Sequence, residues 1–153
     1  MDKDTFQIAF WGASLLFVIC SMVITIIGWR VNSNNAKELA SKKDIHDTIE
    51  KSLDALKNLE DSSYDFWLAE SPETLPYQLI VLHKRLISNL AQLSELTGKP
   101  IPSVDVAALR RHATLDAETA QRPLTFSNER VMRLSRAATN IIKSDLLKKT
   151  WKS

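Results

Sequence analysis

The strongest pattern along the chain is a run of 24 residues, Phe6 to Trp29, without a charged side chain. At about 1.5 Å per residue, a helix of that length measures roughly 36 Å and crosses a hydrocarbon core of about 30 Å. In lipid every backbone N–H and C=O must be satisfied within the segment, so the run predicts one helix. Trp11 and Trp29 suit the two interfacial belts. Beyond Val31 the period becomes amphipathic. Ile45, Ile49, Leu53, Leu56 and Leu59 follow a Ser41-x-x-Asp44 start signal and predict a helix ending near Asp61-Ser62-Ser63. Tyr64-Asp65-Phe66-Trp67-Leu68 reads as a short aromatic plug for a core. A second helix opens around Ser71-Pro72 or Thr74-Leu75-Pro76 and stops at Thr97-Gly98-Lys99-Pro100, with an apolar seam of Leu79, Leu82, Leu86, Leu90, Leu93 and Leu96. Pro102-Ser103 opens a short helix through Arg110-Arg111-His112, and a further turn runs from Leu115 to Gln121. Ser127 is the expected cap of a last helix over about 128–150, with Val131, Leu134, Ala138, Ile141, Ile142, Leu146 and Leu147 inward. No segment alternates like a strand. The expected fold class is all-α: one N-terminal transmembrane helix, residues 1–31, an acidic stalk or first cytoplasmic helix over 32–62, and a small basic helical domain over 63–153.

The apolar run is too long for a signal peptide and no small-x-small cleavage site follows it. The only cysteine, Cys20, follows a bulky Ile19 and more apolar chain, so it is not a lipoprotein site and no disulfide framework exists. Lys3 lies between Asp2 and Asp4 before the run, whereas Arg30, Lys37, Lys42 and Lys43 follow it. The positive-inside tendency then puts the N-terminus outside and the C-terminal domain in the cytoplasm, as a single-pass protein of the inner (plasma) membrane. Gln7, Ser14, Ser21 and Gly28 recur every seven residues, with Thr25 four after Ser21. Such a stripe of small and polar groups suits left-handed packing of several spans, an oligomeric bundle able to line a pore.

Net charge is only +2, but it is divided unevenly. Residues 31–73 hold five Lys/Arg against ten Asp/Glu, and residues 74–153 hold thirteen against six. A solvated surface would show the same bias, but the basic half also suits an anionic partner. Three glycines leave almost nothing for Rossmann or P-loop chemistry. His46, His83 and His112 lack ligand spacing, so no metal and no cofactor is expected. No nucleophile motif and no paired carboxylates suggest catalysis, so the chain reads as a non-enzyme without catalytic residues. What remains is anion recognition by Lys84, Arg85, Arg110, Arg111, His112, Arg122, Arg130 and Arg133, because guanidinium forks match phosphate. Tyr77 and Phe126 could stack on a base.

This layout, the Phe6–Trp29 span followed by a helical domain with Lys84-Arg85, Arg110-Arg111-His112 and Arg130/Arg133, resembles the small CRISPR-associated membrane effectors of type III systems. The resemblance covers the whole chain in length, order and composition. It implies a homo-oligomer, a tetramer foremost, whose cytoplasmic domain binds a cyclic oligoadenylate, cyclic tetra-adenylate above all, and then disturbs or opens the bilayer in antiviral defence. The competing reading is a membrane-anchored adaptor that docks a protein through its leucine seam. Double-stranded nucleic acid is not an expected partner, since no helix-turn-helix start is visible and net charge is modest.

Overall fold

The computed structural model describes residues 3–148, with side chains from Trp11 onward except Ala13. Four helices follow in order: α1 (Lys3–Leu68), α2 (Pro76–Thr97), α3 (Ser103–Thr114) and α4 (Glu129–Lys143), and no strand occurs among the described residues. The all-α class agrees with the sequence pattern. The chain divides into two units, Met1–Lys43 and Asp44–Ser153, and α1 contributes to both.

In the first unit the apolar side chains have no protein to pack against. Leu15, Leu16, Phe17, Val18 and Ile24 are all exposed. Among the described residues this is the one helix long and apolar enough to cross a membrane, with a mean hydropathy of 2.1 over its most apolar stretch. The stripe residues Ser21 and Thr25 turn their hydroxyls back onto the helix: Ser21 Oγ donates to Val18 O and Thr25 Oγ1 to Ser21 O, both at 2.8 Å. A Cβ at Gly28 would meet nothing within 4 Å, so that face of the helix is open. The Gln7 side chain lies outside the described ones.

The second unit is built around the C-terminal half of α1. The helix neither begins at Ser41 nor stops at Asp61-Ser62-Ser63, and the aromatic segment is its last turn. The physical reason is that the internal hydroxyls bond backward instead of terminating the helix. Thr48 donates to Asp44 O, Ser52 to Thr48 O and Ser63 to Leu59 O, at 2.7, 2.8 and 2.6 Å. Ile49, Leu56 and Leu59 are buried here, so much of the stretch that reads as stalk belongs to the core. The α2 seam faces the same core through Leu79, Leu86, Leu90 and Leu93, joined by His83, whereas Leu82 is half-buried and Leu96 exposed. Because most of the seam is internal, the apolar surface that α2 leaves outside is Tyr77, Ile80, Val81 and Ile87, with Leu96 near its end. Gly98 ends α2 at φ +68°, a left-handed conformation that glycine alone adopts freely, and its N–H donates to Ser94 O at 2.8 Å.

The last helix differs from expectation at both ends. Its cap is Asn128 rather than Ser127, with Asn128 Oδ1 accepting the Arg130 N–H at 2.9 Å. It stops at Lys143, not near residue 150, which lies outside the described residues. Ile142 points outward. Leu146 and Leu147 still reach the core, but from a turn in which the Leu147 N–H donates to Ser144 O and Lys99 Nζ donates to Asp145 O. Apolar spacing therefore outlasts the helix here.

Candidate functional site

The last turn of α1 leaves carbonyls that no helical N–H can reach, and the segment after α3 supplies their partners. The Leu124 N–H donates to Trp67 O at 2.7 Å, and Arg122 Nη1 donates to Phe66 O at 3.4 Å. The Trp67 indole N–H crosses to Ala113 O, 3.1 Å away on α3, and the Phe66 and Trp67 rings meet edge-on with centroids 4.8 Å apart. Two arginines close this aromatic pair. The Arg122 guanidinium lies 4.2 Å from the Phe66 ring centroid and that of Arg130 4.4 Å from the Trp67 centroid. A cation over an aromatic face and near a helix C-terminus is favourable twice over. Arg130 also donates to Leu115 O and sits 3.8 Å from the Asp116 carboxylate. Sequence reasoning missed this role, because partners up to 56 positions apart carry no local signal.

Around these fixed points the structure brings together some of the residues expected to bind an anion. His112, half-buried in the last turn of α3, has its pKa held below the ordinary imidazole value, first by burial and then by the charges of Arg133, Arg130 and Arg111. Glu129 opposes them weakly and is itself bonded to Arg133. Four predicted residues, Arg111, His112, Arg130 and Arg133, thus meet where α3 ends and α4 begins. Arg110 and Arg111 are exposed and make no ion pair among the described residues. Arg110 points its influence elsewhere, toward His83 on α2. His83 is buried, with Nε2 3.3 Å from Val106 O, which accepts the ring N–H, and burial lowers its pKa as well.

The remaining predicted residues are arranged differently. Arg122 is turned onto Phe66. Lys84 and Arg85 are exposed on α2, and Arg85 borders a shallow groove with Tyr77, Val81 and Ser62. Tyr77 and Phe126 are exposed and make no ring contact among the described residues. No group of three His, Cys, Asp or Glu side chains converges among the described residues in a way that could hold a metal.

Both depressed histidines carry a stability consequence. A neutral ring is favoured in the folded state, so the unfolded chain binds more protons once pH falls toward 6.5, the ordinary histidine value. The expected result is a thermal midpoint that is flat above about pH 7.5 and falls progressively below 6.5. His83→Gln flattens the acid limb. A midpoint that rises on acidification contradicts this.

The chain matches no protein-family model, and no curated protein or solved structure matches it.

Proposed function

We propose that this protein is a membrane-anchored, non-catalytic sensor whose helical unit binds a phosphate-bearing ligand between the end of α3 and the start of α4. The observation that carries the reading is the convergence of Arg111, Arg130 and Arg133 on His112, with Glu129 the carboxylate that opposes them there. An anion would relieve that mutual repulsion, and the exposed guanidinium of Arg111 can bond phosphate oxygens in pairs. Following the resemblance, the ligand is a cyclic oligoadenylate, cyclic tetra-adenylate first. The protein is a homo-oligomer, a tetramer foremost, whose spans perturb or open the inner membrane in antiviral defence. Its N-terminus is outside and its helical unit cytoplasmic, as the basic residues after the span suggest.

The test is calorimetric titration of the detergent-solubilised chain with cyclic tri-, tetra- and hexa-adenylate. Arg111→Ala is expected to lose on the order of 1.5–3 kcal/mol, the worth of a charged hydrogen bond, and so at least tenfold in affinity. Lys37→Ala and Lys42→Ala leave it unchanged. Absence of binding below about 100 μM (roughly −5.5 kcal/mol) removes the effector reading. The adaptor reading then takes its place, but not through the leucine seam, whose Leu79, Leu86, Leu90 and Leu93 are buried; its docking surface is the exposed Tyr77, Ile80 and Val81 on α2. In that case Val81→Asp abolishes capture of a protein partner and leaves helicity unchanged.

A further inference from the structure

Two outward helix faces of the second unit carry opposite charge at the same interval. On α1, Thr48, Ser52, Leu56, Leu59, Ser63 and Phe66 are buried on one side. The opposite side carries the exposed Glu50, Asp54 and Asp61 and the half-buried Asp47 and Asp65, with two exposed lysines, Lys51 and Lys57, among them, so its balance is acidic but not uniform. Glu50 pairs with His46 and Asp65 accepts the Thr74 N–H. Asp47, Asp54 and Asp61 have no ion pair among the described residues. On α4 the outermost row is Met132, Arg136, Thr139 and Lys143, at i, i+4, i+7 and i+11, opposite the buried Leu134, Ala138 and Ile141. Arg136 and Lys143 likewise have no ion pair among the described residues.

We propose that the acidic row of α1 in one copy docks against the basic row of α4 in a second copy of the same chain. Asp47, Asp54 and Asp61 recur every seven residues, about 10.5 Å apart along the axis. Arg136 and Lys143 are separated by the same seven residues. Two successive pairs meet together only when the two helices run side by side at a shallow angle, and the equal spacing then leaves two registers, Asp47/Asp54 or Asp54/Asp61 against Arg136/Lys143, with Asp54 engaged in both. A foreign basic partner would satisfy α1 alone and a foreign acidic partner α4 alone. A second copy satisfies both. The rows are different surfaces, so the contact is head-to-tail and repeats around a ring, or occurs twice about a two-fold axis. Exposed ion pairs contribute little individually, so the rows orient copies that other surfaces help to gather. The inference rests on the homo-oligomer of the preceding proposal and is independent of its ligand.

The experiment uses the full chain in detergent. In a Cys20→Ser background, Asp54→Cys and Arg136→Cys proteins are mixed and oxidised, and a disulfide-linked pair is expected from the mixture at low salt. In parallel, Asp54→Lys/Asp61→Lys weakens association about tenfold by light scattering, and Arg136→Glu/Lys143→Glu does the same. Mixing the two charge-reversed proteins restores association, a rescue that misfolded chains cannot give. A chain that stays oligomeric, gives no cross-link and ignores both reversals overturns the row contact alone. A chain that is monomeric at every concentration overturns it together with the oligomer.

Discussion

Trp67→Ala is expected to destabilise the helical unit by about 3–5 kcal/mol, the range for removing a fully buried large aromatic. Domain stabilities run at roughly 5–15 kcal/mol, so this is a large share of the whole. The indole does three things at once. It fills the core at 1 % exposure, its N–H satisfies Ala113 O on α3, and its face carries the Arg130 guanidinium. Alanine leaves a cavity, an unmet carbonyl and an arginine without its ring. Trp67→Phe keeps most of the volume and the face but loses the N–H, and should cost nearer 1–2 kcal/mol. Arg130→Ala should fall between them, since it removes the cation over the ring, the bond to Leu115 O and the contact with Asp116. The measurement is the urea midpoint of the full chain in detergent by far-UV circular dichroism, where the span stays helical and the transition reports the second unit. Equal midpoints for the alanine and phenylalanine variants would show that cavity and arginine count for nothing.

The same cluster shows why part of the site was legible in the sequence and part was not. Helix class and the limits of α2 follow from local chemistry: Pro76 opens it, the Gly98 conformation closes it, and the leucines keep helical period. The aromatic segment is recognisable as core from its composition, and the core contains Phe66 and Trp67. Local signals mislead at Ser62-Ser63, which read as a stop. A buried serine in a helix can donate to the carbonyl four residues back, as Ser63 does to Leu59, and whether it does depends on packing from elsewhere. They mislead again after Lys143, because Leu146 and Leu147 bury themselves from a turn that keeps the same apolar spacing.

Charge is the least legible quantity of all. Arg122 and Arg130 have the same composition signal as Arg111, yet those two are laid over rings, Arg122 while still exposed, and Arg111 is exposed with no ring beneath it among the described residues. The difference arises from the segment after α3 wrapping the end of α1, a contact between distant parts of the chain. Counting basic residues located the half of the molecule that gathers positive charge. It did not tell arginines that point to solvent from those laid over the aromatic rings. The distinction has a measurable consequence: Arg130→Ala should lower stability first, whereas Arg111→Ala should lower anion affinity at unchanged stability.

Two arginines in the middle of the apolar run, Ile19→Arg with Val23→Arg, are expected to abolish stable membrane insertion. Each guanidinium near the centre of a span costs about 2.5–3.5 kcal/mol on the insertion scale, and the pair about 5–7. Between Phe6 and Trp29 there are twelve Leu, Ile, Phe and Val side chains. At about 0.3–0.6 kcal/mol each they supply at most roughly 4–7 kcal/mol, so the substitutions cancel essentially the whole driving force. No internal partner can rescue the charges, because Ile19 and Val23 are exposed in the first unit and no buried carboxylate lies near them among the described residues. The native chain should stay with membranes through a high-salt wash, and the double variant should move to the supernatant. Leu39→Arg, also exposed but beyond the charge-free run, should leave the partition unchanged. A cysteine added after Ser153 should react only with reagents applied from the cytoplasmic side. Native protein that leaves the membrane in salt alone overturns the span itself, while labelling from the outside reverses the orientation and moves the arginine cluster away from any intracellular nucleotide.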